Sequence, residues 1–372
     1  MKNAGMEEKA RIETIGETEK TNKRNKTDTI DTIHKTGQTD KNIMLSLEHV
    51  SKVFAPERAH QKQVRAVDDL SLEMRQGERV MVVGESGCGK STLVRMIAGI
   101  EMPTGGTICF DGKNVPDLRG EELRQYRRQV QMVFQDSGHV ISPRMTIEAF
   151  LREPWICFEH KSRREADEMV RYSIQRVGLD QSYLKRRPHQ LSGGELQRIC
   201  VARAIALHPR LLICDEATSA LDVSVQKQIL DLIREHVEES GCSVLFICHD
   251  LALAENFGDR IAVMYLGRIV EWMEGKHLKR NALHPYTRLL LDSVFSIYDD
   301  PGREIPFLPE KDLYGEDSGA EYISGGAGAD QEMKRSGCVF CERCLRADEE
   351  CRKKRPELRK VSPGHFVACL KA

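Results

Sequence analysis

The chain has 372 residues, enough for one large core and an appended module. Its charge is dense but balanced, with a formal net of −1, so it lacks the basic footprint of a nucleic-acid binder and no nucleic-acid partner is expected. No run approaches the roughly 20 apolar residues that span a bilayer, and the N-terminus carries no apolar signal region. A role in membrane transport would therefore require separate membrane subunits.

Residues 1–42 are rich in Thr, Lys, Glu, Asp and Asn and nearly devoid of large apolar side chains. Such a segment cannot bury enough surface to offset its ordering entropy, and it is expected to be a disordered tail. Order is expected from about residue 43. Alternation over Met44–Val50 and again over Ala66–Leu72 predicts two half-buried strands, and Arg79–Val83 is apolar enough for a strand buried on both faces.

That strand runs into Gly84-Glu85-Ser86-Gly87-Cys88-Gly89-Lys90-Ser91 and then a helix opening at Lys90 and Thr92. Four spacer residues, then Gly-Lys-Ser, between a buried strand and a helix form a phosphate loop. Its glycines let backbone N–H groups turn inward, and the helix N-terminus adds partial positive charge. Lys90 is expected to reach the β- and γ-phosphates of ATP, and the Ser91 hydroxyl to ligate Mg²⁺. Thr107–Gly112 predicts an antiparallel strand and turn.

From about Glu121 to Leu207 the pattern is mostly helical and highly charged. Leu211–Glu216 returns to an apolar strand that ends in two carboxylates. Asp215 at the strand tip is expected to hold Mg²⁺, directly or through water, and Glu216 to act as general base on the attacking water. Val223–Glu239 is amphipathic at helical spacing and Ser243–Cys248 is strand again, so strand, helix and strand imply a parallel sheet with right-handed crossovers. Residues 299–337, rich in Gly, Asp and Glu, read as a linker.

These features alone say P-loop ATPase. Leu191-Ser192-Gly193-Gly194-Glu195-Leu196-Gln197-Arg198 says more, because it resembles the signature of ATP-binding-cassette (ABC) proteins. The resemblance implies that Gln135 is the Q-loop glutamine and a Mg²⁺ ligand, that Ser219–Asp222 is the D-loop, and that His249 is the switch histidine at the γ-phosphate. It further implies that Phe54 stacks on adenine and that ATP is held between two such subunits. Ser192, Gly193, Gly194 and Glu195 would then close over nucleotide on a partner, in a homo- or heterodimer. Glu195 stands where the family more often has Gln.

The segment Gln135–Ile147, Met264–Glu271 and His284-Pro285-Tyr286-Thr287 resemble the ATPases of oligopeptide, dipeptide and nickel importers. The family usually has Pro and Asn where this chain has Ser137 and Ser142, in the stretch where a membrane subunit would dock. The resemblance implies a RecA-like parallel α/β core with an antiparallel β subdomain, a helical signature subdomain near 136–205 within an ATPase domain over 43–298, and a Cys-rich C-terminal region over 338–372. It implies two transmembrane permease subunits, an extracytoplasmic solute-binding protein acting indirectly, and a place at the cytoplasmic face of the cell membrane. Peptide import is the expected function, with nickel import and a non-transport ABC ATPase as alternatives.

Of the 12 cysteines, five crowd the end of the chain: Cys338, Cys341, Cys344, Cys351 and Cys369. In the family, four of these positions, Cys338, Cys344, Cys351 and Cys369, can hold an iron–sulfur cluster such as [4Fe–4S]. Four cysteines equally suit Zn²⁺, and reduced thiols without metal are the third alternative. Cys341 is extra to the family pattern.

Overall fold

In the computed structural model, residues 42–55, 63–218, 221–293 and 336–372 are described (residue 277 by its backbone alone). Most of the expected N-terminal tail, nearly all of the expected linker, and Ser219 and Ala220 of the D-loop lie outside the described residues.

Strands β1 (Ile43–Phe54), β2 (Val64–Arg75), β4 (Gly105–Phe110) and β5 (Lys113–Asn114) form a four-stranded sheet in the order β2-β1-β4-β5. β1 and β4 pair antiparallel, from Leu45 opposite Phe110 to Ser51 opposite Gly105. Its apolar face covers one side of the main sheet, with Leu45, Leu47, Val67 and Leu70 in one cluster with Val80 and Val82.

The main sheet has eight strands. Five are parallel: β3 (Arg79–Val83), β6 (Val130–Val133), β7 (Leu211–Asp215), β8 (Ser243–Cys248) and β9 (Arg260–Tyr265), with β3 between β8 and β9. β7 and β8 are buried along their whole length, which is why both read as continuous apolar runs rather than alternating ones. Helix α1 (Lys90–Ile97) follows β3, with Leu93, Val94, Met96 and Ile97 facing the core.

The sheet continues beyond its parallel part, and this differs from the expected small appended tail. β10 (Arg268–Glu274) pairs antiparallel with β9, β12 (His365–Val367) with β10, and β11 (Arg359–Ser362) with β12. The C-terminal segment is thus stitched into the main sheet. Buried Glu271 of β10 accepts hydrogen bonds from Leu283 N at 2.7 Å, His284 N at 3.1 Å and His365 Nε2 at 2.8 Å. Three donors from two segments share one carboxylate, which satisfies the charge that burial would otherwise penalise.

Helices α2 (Gly120–Gln129) and α3 (Ser137–Val140) flank β6; then α4 (Ile147–Cys157), α5 (Arg163–Arg176) and α6 (Gly193–Ile205) build a helical layer on the other side of the sheet. α5 opens with a Ser162–Glu165 capping box. After β7 come α7 (Val223–Ser240) and α8 (Leu251–Phe257). No helix among the described residues is long and apolar enough to cross a membrane.

Candidate nucleotide site

The site lies at the C-terminal ends of β3, β7 and β8, where an open parallel sheet binds ligands. β3 delivers Gly84 and the phosphate loop. Gly84 (φ 155°) and Gly89 (φ 105°) adopt backbone conformations suited to glycine, and a Cβ would collide with the carbonyls of Met264 and Ala66 respectively. The loop is further tied by Gly267 N donating to Cys88 O at 2.8 Å.

Lys90 folds over this loop, and its Nζ donates to Gly84 O and Glu85 O, each at 2.9 Å. Ser91 Oγ donates to Asp215 Oδ1 at 3.0 Å. Asp215 is buried at the tip of β7, and burial pushes its carboxyl up, partly countered by the Ser91 hydrogen bond. A hydroxyl beside a buried carboxylate is the hard oxygen pair that suits Mg²⁺.

One residue on, Glu216 has φ 49°, a left-handed conformation that costs a non-glycine residue about 1 kcal/mol. The turn sends the adjacent carboxylates to different partners. Glu216 Oε2 accepts from Gln135 Nε2 at 2.7 Å, and Glu216 Oε1 pairs with His249 Nε2. The other ring nitrogen, His249 Nδ1, lies 3.1 Å from Gly84 O. A carbonyl can only accept, so Nδ1 carries the hydrogen on that side. Gln135, Glu216, His249 and Gly84 come from three strand ends and a loop, and the structure brings them into one chain of contacts.

Ser192 lies elsewhere, as the N-cap of α6, its Oγ accepting from Glu195 N at 3.3 Å while Glu195 Oε2 accepts from Ser192 N at 2.8 Å. Tyr183 OH donates to Glu195 Oε1 at 2.7 Å, and this bond chiefly holds the half-buried Glu195 carboxyl below its ordinary value. The substituted signature residue is therefore a capping-box carboxylate. A Cβ on Gly194 would press on Val225 of α7, whereas Gly193 opens onto free space. Phe54 ends β1 with its ring partly exposed and Lys52 Nζ 4.9 Å from the ring centre.

Two functional contacts were not read from the sequence. Tyr286 lies fully buried under the loop and its hydroxyl accepts from Glu85 N at 2.9 Å. Arg343 grips the Glu85 carboxylate. The motif His284–Thr287 signalled a family trait, but nothing local signalled where its tyrosine would point.

All five C-terminal cysteines line one cavity, with His284 and Phe340. Burial raises the thiols of Cys338, Cys341 and Cys344, Cys338 to about 11. Among the described residues no group of three or more His, Cys, Asp or Glu side chains has metal-holding geometry. The donor chemistry suits a soft metal, but the side chains as placed do not form a ligand shell.

A phosphate loop and a Leu-Ser-Gly-Gly helix start on one cassette-like α/β frame place the protein among the ABC ATPases. A family model described as "ABC transporter" matches residues 67–219, and one described as "Oligopeptide/dipeptide transporter, C-terminal region" matches 270–351. The chain is 42% identical over 311 residues to the oligopeptide transport ATP-binding protein OppF of Escherichia coli, covering 83% of this chain and 89% of that protein. It is 40% identical over 337 residues to AppF of Bacillus subtilis, also named an oligopeptide transport ATP-binding protein, covering 89% and 98%. Among solved structures, the ATP-binding cassette MJ0796 in a dimeric, post-hydrolysis state with ADP and Pi superposes with a TM-score of 0.57 at 29% identity, covering 62% of this chain and 98% of that one. The chain belongs to the ATP-binding proteins of the oligopeptide/dipeptide ABC transporter family.

Proposed function

We propose that the protein hydrolyses ATP to drive uptake of short peptides, working as one of two cassettes beneath a pair of membrane permease subunits at the cytoplasmic face of the membrane. An extracytoplasmic solute-binding protein would deliver the peptide. The observation that carries this reading is the convergence of Gln135 and His249 on Glu216, next to the Ser91–Asp215 pair. The names of the E. coli and B. subtilis relatives support the peptide cargo.

In this reading the amides of Gly87, Cys88 and Gly89 and the Lys90 ammonium receive the β- and γ-phosphates, with Ser86 and Thr92 bordering the loop and Phe54 stacking on adenine. Ser91, Asp215 and the Gln135 side-chain oxygen would hold Mg²⁺, which supplies charge neutralisation at the phosphates. Glu216 accepts a proton from water as that water's oxygen bonds to the γ-phosphorus and the bond to the β,γ-bridging oxygen breaks. His249, anchored to Gly84 O, orients Glu216 and meets the departing phosphate. Ser192, Gly193 and Gly194 close over nucleotide on the second cassette, and Glu195 holds that helix start in shape. The dimeric cassettes of MJ0796 support this two-chain arrangement.

In the C-terminal cavity, Cys338, Cys344, Cys351 and Cys369 would hold an iron–sulfur cluster or Zn²⁺ only after moving, since as placed they form no ligand shell; reduced thiols without metal are the alternative. No step of hydrolysis runs through it. Metal analysis and visible absorbance of protein purified without oxygen test this part separately. Uptake of labelled tri- to pentapeptides by cells, with and without this chain, tests the transport function. Peptide uptake that depends on the chain is expected; uptake of nickel alone would change the cargo.

A further inference from the structure

The phosphate loop is held from outside the cassette core, by the cysteine-rich segment. Arg343 lies between Cys341 and Cys344, in a turn closed by Arg343 N donating to Phe340 O at 3.1 Å. Its Nη1 donates to Glu85 Oε2 at 2.8 Å and its Nη2 to Glu85 Oε1 at 2.9 Å. This is the parallel two-pronged geometry that fixes a carboxylate in orientation as well as position. The two residues are 258 apart in sequence.

We infer that Arg343 is a positioning residue for ATP binding, acting through Glu85 to set the shape of the phosphate loop. Glu85 is a node between two sets of contacts. From one side Arg343 fixes its carboxylate and the Tyr286 hydroxyl fixes its amide. On the other side its carbonyl oxygen, with that of Gly84, accepts from Lys90 Nζ, and Gly84 O also meets His249 Nδ1. A shift of Glu85 therefore moves an acceptor of the phosphate-binding lysine, while the His249 anchor belongs to Gly84.

The support behind Arg343 is rigid. Tyr265, Tyr286 and Phe340 pack ring to ring, with centres 4.5 Å apart for Tyr265 and Tyr286, 5.3 Å for Tyr265 and Phe340, and 5.4 Å for Tyr286 and Phe340. The guanidinium sits over this cluster, 5.7 Å from the Tyr265 ring and 5.8 Å from that of Phe340. A half-buried fork on an aromatic platform loses little entropy on pairing and has no room to swing. Glu85, by contrast, belongs to a glycine-flanked loop that such a grip would restrain.

The test is a double-mutant cycle on the full chain, reading KM for ATP and kcat separately with melting temperature as a control. Arg343→Gln and Glu85→Gln are each expected to raise KM about tenfold, with kcat changed less than about threefold. The double variant should be no worse than either single one, because each removes the same contact. Arg343→Lys, which keeps the charge and loses the fork, should fall between parent and Arg343→Gln. Effects that multiply in the double variant, or single variants with KM within twofold of the parent, overturn the proposal. A variant that lowers only the melting temperature shows a structural contact and overturns it too. Should Arg343→Gln fail to fold, Arg343→Lys and Glu85→Gln decide the matter between them.

Discussion

Gln135 Nε2 donates to Glu216 Oε2 at 2.7 Å across 81 residues of sequence, and this bond ties the loop after β6 to the end of β7. Gln135 lies just past the end of β6, ahead of α3, while Glu216 follows β7. A shift of the loop after β6 would therefore change what the Glu216 carboxylate touches. The amide oxygen of Gln135 stays available as an acceptor while its nitrogen is used.

Glu216→Gln keeps the shape of this contact and removes the proposed base. Turnover should fall at least about a hundredfold, the usual worth of a positioned base, with ATP affinity within about threefold of the parent. Single-turnover hydrolysis and equilibrium nucleotide binding measure the two effects. Gln135→Ala should lower turnover less, because Glu216 keeps His249 as a partner.

Glu195 offers a milder test. Because it works as a capping-box acceptor, Glu195→Gln should leave turnover within about twofold, the amide oxygen accepting from Ser192 N as the carboxylate does. Glu195→Ala removes the acceptor for both Ser192 N and Tyr183 OH, and should cost about 1 kcal/mol of stability in urea unfolding.

Acid should weaken the fold in two stages. Burial holds His284 and His236 neutral, lowering each from 6.5 to about 4. Nδ1 of His284 accepts from Tyr286 N at 3.1 Å, a bond that needs the unprotonated ring. The unfolded chain binds these protons first, so stability is whole above 6.5 and is lost as pH falls toward 4, by about 3 kcal/mol per histidine. The second stage belongs to Asp68, where burial raises the carboxyl but hydrogen bonds from Arg268 and Arg65 outweigh it and bring it to about 2. Its contribution is present above the ordinary 3.8 and lost as pH falls toward 2. Unfolding free energy measured across pH 7 to 3 should show the first stage, and His284→Asn, which keeps an N-cap acceptor, should reduce it.

Gly89→Ala should abolish ATP binding. The added Cβ would meet the backbone carbonyl of Ala66, which cannot swing aside as a side chain can, and φ is 105°. Fluorescent nucleotide titration would read the loss, and a lowered melting temperature would report the strain that the clash adds.

The site residues that act through local pattern were legible in the sequence. Gly84–Ser91, Asp215–Glu216 and Ser192–Glu195 each carry their chemistry within a few residues and stand at strand or helix ends that periodicity locates. The expected roles of Gln135 and His249 rested on resemblance alone, and their contacts with Glu216 were not read, since no spacing rule links residues so far apart. What stayed hidden was long-range register. β12 reaches β10 with Glu271 opposite Val367, and nothing in the short segment His365–Val367 names that partner. For the same reason nothing in the sequence sets Arg343 against Glu85.

The most direct test of the whole account is ATP hydrolysis by the chain assembled with its native membrane subunits and solute-binding protein, with and without short peptides. Hydrolysis should rise severalfold with peptide and vanish in the Glu216→Gln assembly. Hydrolysis that ignores peptides, or persists at parental rate without Glu216, would contradict it.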